Sequence, residues 1–193
     1  MAIHTIGDSH SYYGWNSIPE IQVHYMSGKL CYSYGRDGLN IKDGFNINEG
    51  DTVIFCFGEI DCRCHVKKYT SDTHTYKQVI DEIIDKYFIE VKKSVSRFDT
   101  LKTVIYNVVP AVENGDNPGN AEYPFVGTSE ERKSYVLYFN ERLQQKCLEY
   151  NFIFFNIYDK YTDSNGYLDK SLSDGDVHIG DGTHLKSFIE KNL

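Results

Sequence analysis

Short apolar runs alternate along the chain with longer segments whose apolar residues recur every three or four positions. The short runs are rich in β-branched and aromatic residues and stop at glycine or polar residues, which is typical of strands. The run at 52–57 has no polar face, which indicates a central strand covered on both sides by helices. The predicted strands lie at 2–6, at 21–25 or 30–34, at 52–57, at 103–109 and at 152–157.

The segments with three-and-four spacing predict amphipathic helices. One covers about 74–97, a second begins after the capping-box pattern Thr128-Ser129-Glu130-Glu131, and a third follows His184. Strands that alternate with helices predict an α/β fold, a three-layer α/β/α sandwich with a mostly parallel, flavodoxin-like five-stranded sheet. A chain of 193 residues can form one core, so we expect a single domain over 1–193.

Polar and titratable residues follow several of the predicted strands directly. They lie at 7–10 after the first strand, at 58–63 after the 52–57 strand, and at 174–176 and 181–184 near the end of the chain. In an open α/β sheet the ligand crevice lies beyond the carboxyl ends of the strands. We therefore expect these residues to gather along one edge of the sheet.

Ser9, Asp181 and His184 have the chemistry of a nucleophile, an orienting carboxylate and a base. A serine hydroxyl needs a neighbouring base to take its proton, and that base needs a carboxylate to hold its tautomer. The three-residue step from Asp181 to His184 lets the carboxylate fold back onto the imidazole within one turn, and Gly7 suits a tight exit from the first strand. Each motif alone also has a simpler explanation, an ordinary turn at 7–9 and a helix cap at 181–183.

In combination, Gly7-Asp8-Ser9 near the start and Asp181-Gly182-Thr183-His184 near the end resemble the first and last blocks of the SGNH/GDSL hydrolase family, over essentially the whole chain. The resemblance implies a serine hydrolase or acyltransferase that needs no metal or organic cofactor. It also implies that Gly35-Arg36-Asp37-Gly38 is the second block. There the Gly38 N–H, or alternatively that of Gly35, would bind the oxyanion together with the Ser9 N–H.

The third block departs from the family pattern. Gly-x-Asn-Asp is usual, and its asparagine is the third oxyanion donor, whereas this chain has Gly58-Glu59-Ile60-Asp61. Arg63 is the nearest replacement, since its guanidinium can stabilise developing charge or bind a substrate carboxylate. The alternative is that Arg63 pairs with Glu59 or Asp61. The other candidates for contact with substrate are Asp8, Glu59 and His10, with His178 and the ring group Tyr12, Tyr13 and Trp15 as further possibilities.

Composition narrows the choice of partners. A net charge of −8 and a pI near 5.3 argue against nucleic acid, which requires a clustered basic surface. No apolar run reaches membrane-spanning length and no export signal precedes the first motif, so we expect no membrane partner and a cytoplasmic location. Five cysteines, an odd number, favour free thiols. A zinc site at Cys62, Cys64 and His65 is the alternative, but the spacing does not match structural zinc sites.

The function expected from these residues is hydrolysis of short acyl esters. An O-acetyl ester of a polar substrate such as a carbohydrate suits the acidic surface better than a long-chain lipid. Two alternatives remain open, an O-acyltransferase acting on glycans and a non-catalytic binding module that kept the scaffold. The long loop at 111–127 is either a lid or binding edge, or a solvated insertion.

Overall fold

In a computed structural model, which describes residues 1–115 and 119–193, five parallel strands form one sheet in the order β2-β1-β3-β4-β5. This is the three-layer, flavodoxin-like arrangement that the alternation of strands and helices predicts. The strands are β1 (Ile3–Gly7), β2 (Ile21–Tyr25), β3 (Thr52–Cys56), β4 (Lys102–Tyr106) and β5 (Ile153–Phe155).

Helices cover both faces of the sheet. On one face, α1, α4 and α5 enclose an apolar core that includes Ile6, Phe55 and Ile84. On the other face, α6 and short 3₁₀ turns enclose a second core around Trp15, Tyr106 and Leu185. The helices are α1 (Cys31–Asp37), α2 (Ile41–Gly44), α3 (Val66–Tyr69, entered through a π-type turn at Asp61–His65), α4 (Tyr76–Val95), α5 (Ser129–Tyr150) and α6 (Thr183–Asn192).

The capping box predicted at Thr128 is present at the start of α5. Thr128 Oγ1 accepts a hydrogen bond from the Glu131 N–H at 3.1 Å, and the Glu131 carboxylate accepts one from the Thr128 N–H at 2.8 Å. These two bonds satisfy N–H groups that the first turn of a helix leaves without a partner.

Of the two positions predicted for the second strand, the structure has 21–25, and 30–34 lies at the start of α1. The cause is a carboxylate far along the sequence. Asp61, fully buried, accepts hydrogen bonds from the N–H groups of Cys31 at 2.7 Å and Tyr32 at 3.0 Å. Burial raises the pKa of Asp61 to about 7, while these two donors act in the opposite direction. The third-block aspartate therefore caps α1.

Replacing Asp61 with alanine is expected to destabilise the protein by about 1–3 kcal/mol, because two buried N–H groups lose their acceptor. Urea unfolding would measure this. The matched control is Asp99→Ala, at an exposed aspartate, which should stay within about 0.5 kcal/mol of the wild type. Equal unfolding midpoints for wild type and Asp61→Ala would show that the cap does not stabilise α1.

All five cysteines are buried, and among the described residues they are unpaired. Cys62 lies in the apolar core, while the Cys64 thiol donates to the Pro124 carbonyl. The His65 ring lies against the rings of Tyr32 and Tyr69. Within 1–115 and 119–193, no helix is both long enough and apolar enough to cross a membrane.

Candidate active site

The strands β1 and β3 end side by side at the edge where polar residues were expected to gather. Gly7, the last residue of β1, is in register with Cys56 of β3 and with Tyr25 of β2. The chain leaves β1 through Asp8 into a 3₁₀ turn that begins at Ser9. Ser9 therefore lies beyond the carboxyl end of the central strands.

Ser9 is hydrogen-bonded to a histidine from the C-terminal part of the chain. The Ser9 Oγ lies 2.8 Å from Nε2 of His178, and Nδ1 of the same ring lies 2.8 Å from Oδ2 of Asp174. A hydroxyl, an imidazole and a carboxylate thus stand in the order in which a base takes the hydroxyl proton and a carboxylate orients the base.

A tight turn brings Asp174 and His178 together. The Asp174 N–H donates to the His178 carbonyl at 3.0 Å, and Ser173 and Ile179 form an antiparallel bridge that closes the turn. Gly175 has a φ of +93°, in the left-handed region that glycine adopts without strain. These contacts hold the two ends of the turn together, so that the His178 ring faces Ser9 and the Asp174 carboxylate lies behind the ring.

The assignment of Asp181 and His184 as partners of Ser9 is corrected by this geometry. Asp181 is exposed, and its Oδ1 accepts from the N–H of Thr183 at 2.8 Å and from its hydroxyl at 2.7 Å, so it serves the start of α6. The His184 ring packs edge-on against Tyr161, with 5.3 Å between centroids. The physical reason is that α6 begins at Thr183, which makes Asp181 a helix-start residue and turns His184 toward Tyr161.

The surroundings keep His178 in the form that a base needs. Burial lowers the pKa of His178, and the nearby His10 lowers it further, while Asp174 acts in the opposite direction. Burial tends to raise the pKa of Asp174, but hydrogen bonds from the Asp176 N–H and from His178 lower it overall. A neutral imidazole beside an ionised carboxylate is the resting state of a general base.

A cavity of about 280 Å³ opens next to Ser9 and His178. The Tyr13 ring stacks on the His178 ring, with centroids 4.1 Å apart and planes 17° apart, so Tyr13 forms one wall. A larger cleft of about 540 Å³ lies where β4 and β5 begin, at the opposite edge of the sheet. The cavity beside Ser9 is also lined by Tyr25, Ser27, Gly28, Ile60, Arg63, Gly119, Asn120, Glu122, Tyr123, Phe125, Asp176 and Val177.

Three of the residues expected to contact substrate instead contact other protein groups. Asp8 is fully buried and accepts from the His10 backbone N–H at 2.8 Å and faces the His10 ring at 3.0 Å. The second ring nitrogen of His10 faces the Val177 carbonyl. Glu59 accepts from Nε of Arg63 at 2.8 Å. None of these three is among the residues that line the cavity.

Arg63 does line the cavity. It also forms an ion pair, which was the alternative expected from the sequence, and its partner is Glu59 rather than Asp61. Its Nη1 donates to the Tyr123 carbonyl, and its own carbonyl accepts from the Val126 N–H. Nη2 makes no hydrogen bond to the described residues. The guanidinium therefore connects the loop before α5 to the π-type turn, and its Nη2 can donate to a further partner.

The assignment of Gly38 or Gly35 as an oxyanion donor is wrong. Gly38 ends α1, where its N–H donates to the Tyr34 carbonyl at 2.8 Å and its α-carbon faces Glu90. Gly35 lies within α1 against the backbone of α4 at Tyr87. The loop that follows β2 at the sheet edge carries Gly28 instead, and Gly28 lines the cavity.

The long loop at 111–127 contributes a wall of the cavity through residues 119–125, which favours the binding-edge interpretation over a solvated insertion. Tyr123 reaches across to Gly28 so closely that a β-carbon there would lie 1.8 Å from the tyrosine oxygen. Residues Asp116, Asn117 and Pro118 of this loop lie outside the described residues. Of the ring group near Ser9, Trp15 is a core residue, whereas Tyr13 lines the cavity.

The sequence places Asp174 and His178 among the polar residues near the end of the chain, but it does not by itself pair them. A signal is present, because Asp174 lies four residues before His178 and Asp181 three residues before His184, and only the step from Asp181 to His184 coincides with a helix start. Aspartate is common at the start of a helix, which accounts for Asp181 without a catalytic role. The start of a helix does not account for Asp174, so Asp174 and His178 were the better candidates for a catalytic pair. Gly28 carried no signal beyond lying after an apolar run.

The fold of the chain is similar to that of several solved proteins described as GDSL-type lipases and acylhydrolases. A Bacteroides fragilis protein provisionally described as an acylhydrolase matches with a TM-score of 0.63 at 15% identity, over 98% of this chain and 83% of that one. Acetyl xylan esterase AlAXEase matches with a TM-score of 0.62 at 13% identity, over the full length of both chains. A Desulfitobacterium hafniense protein, provisionally described as a lipolytic protein of the G-D-S-L family, matches with a TM-score of 0.63 at 13% identity, over 100% and 99%. No family model and no curated protein matches the sequence.

Proposed function

We propose that the chain is a GDSL-type serine esterase that hydrolyses short acyl esters, of which O-acetyl esters of a carbohydrate are the best candidates. The observation that carries the proposal is the unbroken series of hydrogen bonds from the Ser9 hydroxyl through His178 to Asp174, each 2.8 Å long. The series lies at the carboxyl edge of a parallel sheet and opens into a cavity, which is where α/β enzymes bind substrates.

In the proposed reaction Ser9 Oγ attacks the ester carbonyl carbon while Nε2 of His178 takes the hydroxyl proton. Collapse of the tetrahedral intermediate breaks the bond to the alkoxy oxygen, which receives that proton and leaves as an alcohol. A water molecule then attacks the acyl group on Ser9, again giving its proton to His178. The second collapse releases the carboxylic acid and returns the proton to Ser9. Asp174 holds the ring tautomer throughout.

The negative oxygen of the intermediate needs donors in the same cavity. The backbone N–H groups of Ser9 and Gly28 fit this role, since neither donates a hydrogen bond to the described residues and both residues line the cavity. Ile60 stands where the family pattern has a donor side chain. Arg63, one helical turn further on, is proposed as the third donor through its free Nη2. Loss of one such donor typically costs about 3–4 kcal/mol of the activation barrier.

The cavity favours a small acyl group on a polar alcohol. Its volume is about 280 Å³, and the buried side chains of Ile60 and Val177 give it an apolar wall that suits a small acyl group. Two of its lining rings are open to solvent, with Tyr13 38% and Tyr25 52% exposed, and the ring of Tyr12, 41% exposed, packs against both. Exposed tyrosines offer a flat apolar face together with a hydroxyl, the combination that suits a sugar ring. One structural neighbour is named for acetyl xylan, which agrees with this choice.

A fluorophosphonate probe tests the proposal without knowledge of the natural substrate. We expect stoichiometric labelling, located on Ser9 by mass spectrometry, and turnover of an aryl acetate and of an acetylated xylo-oligosaccharide. Ser9→Ala should lose both the adduct and the turnover, while Ser11→Ala, at a buried serine whose hydroxyl donates to backbone carbonyls, should keep the labelling site. A wild-type protein left unlabelled would favour the non-catalytic binding module.

An O-acyltransferase is the second candidate, because it would use the same residues up to the acyl-enzyme. The two differ only in whether water or a sugar hydroxyl accepts the acyl group. Incubation with an acetyl donor and a glycan mixture, followed by mass spectrometry, separates them: free acetate alone supports the esterase, and acetylated glycan supports the transferase.

A further inference from the structure

His10 lies directly behind the candidate active site, within the protein. Its side chain is 5% exposed, and both of its ring nitrogens face acceptors. Nδ1 lies 3.0 Å from Oδ1 of Asp8, and Nε2 lies 3.2 Å from the backbone carbonyl of Val177. A neutral imidazole has one N–H and so can donate to only one of the two.

The environment of Asp8 is a second, independent argument for a protonated His10 ring. The Asp8 carboxylate is fully buried, and its Oδ2 has no hydrogen-bond partner among the described residues. A buried carboxylate requires a counter-charge. A doubly protonated His10 ring would supply that charge and would donate to the Val177 carbonyl at the same time.

His10 is connected to the general base in two ways. Val177 immediately precedes His178, so the hydrogen bond to its carbonyl fixes the backbone that carries the base. The rings of His10 and His178 are 4.8 Å apart, tilted by 44°. A charge at that distance, within the protein interior, is only weakly screened by solvent.

We propose that His10 is a positively charged positioning residue of the candidate active site. It holds His178 against Ser9 through the Val177 carbonyl, and its charge keeps the His178 ring neutral. The inference rests on the proposed esterase function. His10 lies outside the hydrogen-bonded series from Ser9 to Asp174, and it sets the pH range in which His178 acts as a base.

Several charged groups face His178, and their signs decide the direction of the effect. His10 disfavours the protonated form, whereas Asp174 and Glu59 favour it. Arg63, Glu122 and Asp176 line the same cavity, and Tyr13 stacks on the ring without a charge. Burial lowers the pKa of His10, but the charge and hydrogen bond of Asp8, together with Glu59 and the Val177 carbonyl, raise it overall. The base is active when neutral, so its lowered pKa extends activity to pH values below the usual 6.5 of histidine.

The protonation of His10 can be measured in the wild-type protein. Long-range ¹H–¹⁵N correlation spectra of the labelled histidine rings, each assigned by through-bond correlation to its own backbone resonances, should show both nitrogens of His10 protonated at pH 7. A ring with one unprotonated nitrogen at that pH would overturn the proposal. This measurement does not depend on turnover, so it remains decisive even if Ser9 proves unreactive and the proposed function fails.

The pH dependence of fluorophosphonate labelling of Ser9 gives the second test. For the wild type we expect the rate to fall on acidification with a midpoint below pH 6.5. In His10→Gln the midpoint should rise by about half to one pH unit, because the positive charge is gone, and the plateau rate should fall about tenfold or more, because the base is less well held.

His74→Gln is the matched control, since His74 is a partly exposed histidine paired with Glu82, away from the cavity. Its profile should match that of the wild type. A His10→Gln profile with an unmoved midpoint would overturn the proposal even if the variant were slower, because a merely structural residue lowers the plateau without moving the midpoint. If His10→Gln does not fold, the spectra of the wild type decide.

Discussion

Replacing His178 with alanine is expected to lower kcat/KM for an aryl acetate about 10⁴-fold, while replacing His184 with alanine leaves it within about threefold of the wild type. The reason is the geometry at Ser9, whose Oγ lies 2.8 Å from Nε2 of His178 and makes no hydrogen bond to His184. Without the His178 ring, no described side chain is hydrogen-bonded to the hydroxyl to take its proton. Steady-state kinetics on the three proteins, each checked for folding by circular dichroism, measures the difference.

The pair of variants serves as its own control. Both remove an imidazole from the last twenty residues of the chain, and both follow an aspartate by a few positions. His184 packs on Tyr161 in the first turn of α6, so its loss should cost some stability but not the reaction. If instead His184→Ala were inactive and His178→Ala active, the chain would have to rearrange on binding substrate, and the proposed site would be wrong.

The sequence predicts the fold and the position of Ser9, the proposed nucleophile, because these depend on local patterns. Apolar runs such as 52–57 and the three-and-four spacing within 74–97 reflect burial, which acts on every residue of an element. Ser9 follows from a glycine and a polar turn placed directly after the first strand. These features need no knowledge of what lies elsewhere in the chain.

The partners of Ser9 were harder to predict because they depend on contacts far apart in sequence. The steps from Asp174 to His178 and from Asp181 to His184 both lie within residues 174–184, and either can fold an aspartate onto an imidazole. Which one faces Ser9 depends on where α6 starts and on the bridge between Ser173 and Ile179. The second of these closes an irregular turn, which leaves no periodic trace in the sequence.

The second block was misplaced for a related reason. Residues 30–34 have an apolar pattern that fits a strand as well as a helix, and Asp61, about thirty residues away, supplies the cap that makes them helical. Once α1 occupies 31–37, Gly38 lies at the far end of that helix, and the loop after β2 brings Gly28 to the cavity. A buried carboxylate that caps a distant helix is not visible in a pattern of short-range spacing.

Replacing Gly7 with alanine is expected to destabilise the protein by about 3 kcal/mol or more and to abolish labelling of Ser9. Gly7 is the last residue of β1, and a β-carbon there would lie 1.9 Å from the backbone oxygen of Cys56 in β3. A backbone atom of a central strand cannot move aside as a flexible side chain can. The strands would have to separate at the position where β1 delivers Ser9 to the sheet edge.

Gly44→Ala is the matched control, because an added β-carbon at Gly44 meets nothing within 4 Å. Gly44 is the last residue of α2, and alanine there should be neutral or slightly stabilising, by up to about 1 kcal/mol. Urea unfolding of both variants measures stability, and fluorophosphonate labelling measures the position of Ser9. A Gly7→Ala protein as stable and as reactive as the wild type would mean that β1 and β3 are not packed as tightly at Cys56 as the structure has them, and the placement of Ser9 beside His178 would then need revision.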